Sequence, residues 1–152
     1  MKKIIFIAIF MSIGKMLSAQ AVEIKANPIL IPFNIWQVSA EILLKDDIGL
    51  EPGFVILPEA DGAAIFSVIG KYYFNPSIRN NDRFYIGLFT NYITETTGPG
   101  VGFYVGYKLL SRKAITFEIG AGVGRIIGDA DYGVTGLGQL TVGYRIPSKK
   151  SE

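Results

Sequence analysis

The chain has 152 residues, with 15 Lys and Arg against 13 Asp and Glu, and it contains neither Cys nor His. A chain without Cys is not held together by disulfides, and a chain without His lacks the commonest general base and metal ligand. The nearly balanced charge gives no basic patch for a nucleic acid, so we expect no nucleic-acid partner.

The first residues have the pattern of a secretory signal peptide. Lys2 and Lys3 precede a short apolar run, and Ala19-Gln20-Ala21 places small residues at A-x-A spacing. The apolar run, residues 4–13, is too short to cross a bilayer as a helix. We expect residues 1–20 to be a cleaved signal peptide, with cleavage after Ala19 or after Ala21. A retained N-terminal anchor is the alternative.

The remaining chain has the size of one domain. Without Lys2, Lys3 and Lys15 it holds 12 basic against 13 acidic residues. No later apolar run reaches the length of a membrane helix, yet only 18% of the residues of the whole chain are charged, and 17 of its 18 glycines follow position 21. In an exported chain this composition is typical of a membrane β-barrel. We assign residues 21–147 to the barrel and 148–152 to a short polar tail.

Turn-forming segments divide the barrel region into eight predicted strands, each near the roughly ten residues that a tilted membrane strand needs. In chain order they are Val22–Ile31, Ile35–Leu44, Ile48–Ile56, Ile65–Phe74, Phe84–Thr94, Gly100–Leu110, Ala114–Ile126 and Thr135–Ile146. The predicted fold is all-β, an eight-stranded antiparallel up-and-down transmembrane β-barrel. Pro28 and Pro52 fall within predicted strands, and Gly53 beside Pro52 suggests a bulge.

Alternation along the sixth and seventh strands separates two faces. One face carries glycines and single charges, which suits a crowded tube interior better than a solvated surface. The other face is apolar, and its predicted lipid-facing residues are Val101, Phe103, Val105, Ile115, Phe117 and Ile119. The first, second, third and eighth strands repeat this alternation. The fourth is ambiguous, and the fifth has apolar residues on both faces and is left unassigned.

The charges within the strands fall on the glycine-containing face. They are Glu23, Lys25, Glu41, Glu51, Lys71, Lys108, Glu118 and Arg145. Four acids and four bases inside a narrow tube can pair, whereas an unpaired charge there would be costly. Neighbouring strands make Lys108 and Glu118 the expected pair. An eight-stranded barrel is just wide enough for its side chains, so these residues, with Tyr73 and Tyr104, should fill it. A solvated sheet face is the alternative.

Four segments carry a resemblance to a known family: "IKANPILIPFNIWQVSAEILL", "GVGFYVGYKLL", "FEIGAGVGR" and "LTVGYRI". The chain resembles the small eight-stranded outer-membrane β-barrels of the OmpA/OmpX-like group, and most closely their short single-domain members of unknown function in Gram-negative bacteria. The resemblance implies termini and short turns in the periplasm and longer loops outside. The chain departs from the family because its last predicted strand does not end on an aromatic residue. "NPSIRNND" is also long for a periplasmic turn, so the side of the 75–82 connection stays open.

Exposed aromatic residues at the ends of the predicted strands are typical of the girdles of membrane barrels, although aromatics are enriched in every kind of strand. The outer girdle would contain Phe33, Trp36 and Tyr92, and the inner one Tyr72, Phe74, Phe84, Tyr107 and Tyr144.

No catalytic, cofactor or metal site is predicted. The run "GAGVGR" lacks the G-x-G-x-x-G spacing of a dinucleotide-binding loop, and a Ser/His/Asp triad needs a histidine. A Ser-Lys variant is compatible with the composition. Glu41, Glu51 and Glu118 are the carboxylates to consider for acid–base chemistry, but ion pairing is the favoured interpretation of all three.

The sequence thus favours a non-enzymatic, monomeric barrel in the outer membrane of a Gram-negative bacterium, structural in the cell envelope. Its expected partners are outer-membrane lipid, lipopolysaccharide and, during assembly, the barrel insertion machinery. Two alternatives remain. One is a soluble periplasmic lipocalin-like barrel that binds a small apolar ligand, and the other is a very narrow ion or water path.

Overall fold

The structure is a computed structural model that describes residues 21–58, 63–74, 76–78, 81–94, 98–128 and 133–147. The predicted signal peptide, residues 1–20, and the predicted tail, residues 148–152, lie outside the described residues.

The chain forms a closed barrel in which each strand is antiparallel to the next and the last strand pairs with the first. The strands are β1 Ala21–Ala26, β2 Trp36–Lys45, β3 Ile48–Leu57, β4 Ala63–Tyr73, β5 Arg83–Ile93, β6 Gly100–Leu110, β7 Ile115–Ile126 and β8 Val134–Pro147. A short 3-10 helix, Ile31–Phe33, lies between β1 and β2. The prediction of an eight-stranded, antiparallel, up-and-down barrel is confirmed. No helix of the described ranges is long and apolar enough to cross a membrane.

The first strand is shorter than predicted, because it ends at Ala26 and not at Ile31. Pro28 therefore lies outside the strands, and Pro32 lies in the 3-10 helix. Neither proline has an N–H group to give to a sheet ladder. Asn34 then adopts a left-handed conformation, φ 55°, and its N–H bonds the Ile31 carbonyl at 3.0 Å, which turns the chain into β2.

The bulge predicted beside Pro52 is wrong. Pairing of β2 with β3 keeps one register from Trp36–Ile56 to Leu43–Gly49, and it only skips two residue pairs at Pro52. Skipped pairing without a register shift is the expected effect of a residue that lacks a donor. The register shift lies farther along, between Leu43 and Lys45.

The structure assigns the two strands whose facing the sequence left open. Ser67, Ile69, Lys71 and Tyr73 of β4 are buried, while the residues between them are exposed. Along β5 the buried residues are Tyr85, Phe89 and Asn91. Inward-facing aromatic residues therefore explain why β5 is apolar on both faces.

Glycines on the inner face make room for these aromatic rings. Gly106 and Gly120 are partners in register on β6 and β7. A Cβ atom on Gly106 would lie 2.3 Å from the Tyr85 hydroxyl oxygen, and one on Gly120 would lie 2.6 Å from the Tyr104 ring. Because these distances are far below van der Waals contact, each tyrosine requires a glycine opposite it.

Candidate functional site in the barrel interior

The eight charged residues predicted to face the interior lie together in one group, which we call the charge cluster. Its members are Glu23, Lys25, Glu41, Glu51, Lys71, Lys108, Glu118 and Arg145. Seven of them are at most 3% exposed, and the side chain of Arg145 is 12% exposed. The four acids balance the four bases, so the cluster carries no net formal charge.

Period-two alternation brings these residues inward from seven of the eight strands. β1 supplies two of them, Glu23 and Lys25, and β5 supplies none. Register then sets their relative positions: Glu23 is the Cα partner of Glu41 on one side and of Arg145 on the other. Two acids that face each other directly would repel, and the bases inserted from other strands remove that repulsion.

Lys25 is the centre of the cluster. Its ammonium donates hydrogen bonds to Glu41, Glu118 and, at 2.6 Å, to Glu51. It also lies 3.5 Å from a carboxylate oxygen of Glu23. One ammonium thus contacts all four acids of the cluster, which come from four different strands.

Lys71, Lys108 and Arg145 complete the pairing, and Arg145 Nη2 lies 2.6 Å from a carboxylate oxygen of Glu23. Lys71 donates to Glu51 and Glu118 and lies 3.3 Å from Glu41. Lys108 donates to Glu23 and to Glu41, both at 3.0 Å.

The predicted pairing of Lys108 with Glu118 is therefore wrong. The two residues are Cα partners on β6 and β7, but Glu118 bonds Lys25 and Lys71. The interior is narrow enough for long side chains to reach across it, so strand adjacency does not decide which charges pair.

Two tyrosines attach the cluster to an aromatic group. The hydroxyls of Tyr73 and Tyr85 each donate a hydrogen bond of 2.5 Å, to Glu41 and Glu118 respectively. Lys108 Nζ lies 4.5 Å from the ring centroid of Tyr73, and Lys71 Nζ lies 4.6 Å from that of Tyr85. Such cation–π contacts add attraction where water is excluded.

Sequence reasoning did not find Tyr85 or Gln139 as partners of the cluster. Gln139 Nε2 donates to Glu118 at 2.7 Å. Gln139 sits on the inward face of the predicted eighth strand, and that position was the available signal. Tyr85 had no comparable signal, because both faces of its strand are apolar. Tyr104, which was expected inside, stacks on Tyr85 with ring centroids 6.1 Å apart.

Asn81, just before β5, lies at the end of the barrel where β1 begins and β8 ends. Asn81, which is 1% exposed, donates from its backbone N to Asp46 O at 2.9 Å and from Nδ2 to Lys45 O at 2.8 Å. The Asn81 carbonyl accepts a bond from Arg145 Nη2 at 3.2 Å. Asn81 therefore links the end of β2 and the β2–β3 turn to Arg145 of the cluster.

The residues predicted to contact lipid lie on the outside of the barrel. Val101, Phe103, Val105, Phe117 and Ile119 are exposed, with Phe103 reaching 74%. Ile115, at the start of β7, is half-buried.

The cluster is better suited to internal pairing than to metal binding. Glu23, Glu41 and Glu118 each place one carboxylate oxygen within 4.8 Å of the others. All three already bond lysine ammonium groups. A divalent cation would have to displace those ammonium groups, so the geometry offers a neutral network of ion pairs.

No protein-family model, curated protein or solved structure matches the chain. The function must therefore be argued from the geometry of the barrel and of its interior.

Proposed function

We propose that the protein is a non-enzymatic, integral outer-membrane β-barrel with a lumen filled by its own side chains, and that it is structural in the cell envelope. The observation that carries this proposal is the polarity of the barrel, which is charged inside and apolar outside. That polarity is the reverse of a water-soluble protein's and is the usual arrangement of membrane barrels.

The position of the exposed charges supports the proposal. Within the described strands, the exposed charged residues are Lys45, Arg83 and Arg125, and each lies at or next to a strand end. Between these ends the outward positions are apolar or glycine, with few exceptions such as Thr90. A soluble monomer rarely exposes a continuous apolar surface of this extent.

Aromatic residues supply a second line of support. Tyr72, Phe74, Phe84, Tyr107 and Tyr144 are exposed towards the barrel end where β1 begins. The rings of Tyr72 and Phe74 lie 5.1 Å apart, and those of Phe74 and Phe84 lie 5.9 Å apart. Phe33, Trp36 and Tyr92 are exposed towards the opposite end. Two aromatic bands flanking an apolar belt match the interfaces of a bilayer.

The lipocalin-like alternative needs an apolar interior that accepts a ligand and a polar exterior. Here the apolar side chains of β6 and β7 point outward, and the interior holds the charge cluster. An ion path is also disfavoured, because the cluster reaches across the lumen and Asn81 is packed beneath it.

Cell fractionation tests the proposal. We expect the mature protein in the outer-membrane fraction, extractable only with detergent, and we expect its folded form to migrate differently on a gel before and after boiling. Recovery of the protein in the periplasmic fraction, soluble without detergent, would refute the proposal and favour the lipocalin-like barrel. Lipid and lipopolysaccharide are then its surroundings, and the barrel insertion machinery is its partner during assembly.

A further inference from the structure

β8 extends well beyond the strand that closes the barrel against it. The β1–β8 ladder runs from Ala21–Pro147 to Ala26–Val142 and stops there. Residues 134–141 of β8 continue to pair with β7 on their other side. This stretch, which we call the free edge, lies at the barrel end away from the start of β1 and the end of β8.

Alternate residues of the free edge direct their backbone groups away from β7. The Arg145 N–H donates to Ala114 O, and the Gly133 carbonyl accepts from Ile126 N. The backbone N–H and C=O groups of odd-numbered residues in β8 therefore point towards β7. In an antiparallel ladder the intervening residues face the other side. Those residues are Val134, Gly136, Gly138 and Leu140.

Only one of these backbone groups has a partner among the described residues. Gln37 Nε2 donates to the Gly138 carbonyl at 3.3 Å. Unpaired strand edges bind other strands readily, and unpaired backbone groups are costly in lipid. The edge therefore needs a covering element, water or a partner.

Prolines prevent β1 from covering the free edge. Continuing the β1–β8 register past Ala26–Val142 would place Pro28 opposite Leu140 and Pro32 opposite Gly136. Asn27, directly after β1, donates its backbone N–H to Gln37 O of β2. The backbone groups of even-numbered residues along this part of the chain would therefore point towards β8. Both prolines thus occupy positions where an N–H donor to β8 is required, and neither has one. The sequence itself keeps this edge open.

The free edge also lacks the features that usually protect edge strands. Residues 133–142 contain no charged residue and no proline, and their register with β7 shows no bulge. A Cβ on Gly138 would meet nothing within 4 Å, so the described residues leave the outer face of the edge uncovered there. The neighbouring segment after β1 exposes Ile29, Ile31 and Phe33, which adds an uncharged apolar surface.

We propose that the free edge binds an extended, uncharged polypeptide segment of another protein, which adds to the sheet as a strand antiparallel to β8. Four edge residues, each with a donor and an acceptor, would form about seven hydrogen bonds with it, because the Gly138 carbonyl already accepts from Gln37. Antiparallel addition would continue the up-and-down pattern in the position that β1 vacates. A second copy fits poorly, because two barrels oriented alike in one membrane present their β8 strands in parallel.

Amide hydrogen exchange of the full mature chain in detergent tests this inference, which goes beyond the proposed function and rests on it only in excluding a second copy. In the free protein we expect the amides of Gly136 and Gly138 to exchange about a hundredfold faster than those of Thr135 and Leu137. The probe is an eight-residue peptide of alternating Val and Thr, acetylated and amidated. It should slow exchange at Gly136 and Gly138 by about tenfold or more.

Three controls sharpen the result. A peptide of the same sequence that is N-methylated at every backbone amide, and so has no backbone N–H donors, should give no protection. Gly138→Ala should keep the protection, because its side chain meets open space, and Gly138→Pro should lose it. Gel mobility before and after boiling reports whether each variant is folded. Exchange at Gly136 and Gly138 as slow as at Leu137 in the free protein, or unaffected by millimolar peptide, would overturn the inference.

Discussion

Lys108 and Glu118 face each other in register on neighbouring strands, yet each forms its ion pairs with other residues. Lys108 reaches across the lumen to the acids of β1 and β2, and Glu118 turns to the lysines of β1 and β4. The cluster is thus a shared network of charges, and it responds to a substitution as a unit.

Removing the central base should be strongly destabilising. Lys25→Met takes away the ammonium that contacts all four acids, and breaking a buried ion pair in this way costs about 3–5 kcal/mol. Urea unfolding of the barrel in detergent measures the change in the free energy of unfolding. Lys45→Met, at an exposed position, is the matched control and should change it little. Equal stability of the two variants would contradict the network.

The hydroxyl groups of two stacked tyrosines should contribute differently to the free energy of unfolding. The Tyr85 hydroxyl donates to Glu118, whereas the Tyr104 hydroxyl has no hydrogen-bond partner among the described residues. Tyr85→Phe should cost about 1.5–3 kcal/mol, because it removes a bond to a charged group, and Tyr104→Phe should be close to neutral. The same unfolding assay compares them, and the reverse order would show that the assigned bonds are wrong.

Glycine at the inner face should tolerate no added methyl group. Gly106→Ala places its Cβ 2.3 Å from the Tyr85 hydroxyl oxygen and 2.7 Å from the Ile119 carbonyl oxygen. Overpacking of this kind costs about 1–3 kcal/mol. Gly138→Ala, where a Cβ meets nothing within 4 Å, is the control. A stable Gly106→Ala barrel would mean that the tyrosines are packed differently.

An outward-facing charge should be harmful if the barrel lies in a membrane. Phe103→Arg puts a charge at an exposed apolar position of β6, in register with Leu88, which is midway between Phe84 and Tyr92 of the two aromatic bands. It should cost about 2–4 kcal/mol, because this level lies near the bilayer midplane. Phe103→Leu is the apolar control. Unfolding in lipid vesicles measures both variants. A harmless arginine would place this face in water and count against the proposed function.

The filled lumen should not conduct. We expect purified protein in a planar bilayer to give no steady, ion-selective current, because the cluster bridges the interior of the barrel. A variant with Lys25→Met and Glu118→Gln tests whether the cluster is the barrier, and any current should rise in that variant alone. Large steady currents from the unaltered protein would require an open path.

Turn-forming segments predicted the strand number and the antiparallel order, and alternation predicted the inward and outward faces of β6 and β7. Alternation could do so because side-chain direction along a strand is a local property of period two. The predicted β1 is too long, because apolar residues continue past Ala26. The prolines among them are apolar as well, and they oppose a strand only because they lack an N–H donor. Ion-pair partners and the contacts of Tyr85 depend on distances across the lumen, which no local pattern encodes.

The bonds of the charge cluster join residues far apart in the chain, with 93 positions between Lys25 and Glu118 and 122 between Glu23 and Arg145. A partly assembled sheet, in which the first and last strands have not yet met, would hold several of these charges without partners in a poorly hydrated place. Ring closure therefore completes the neutralisation of the cluster, because Lys25 meets Glu118 and Glu23 meets Arg145 only when β7 and β8 reach β1. We expect assembly to be cooperative at this late stage, when β1 meets β8.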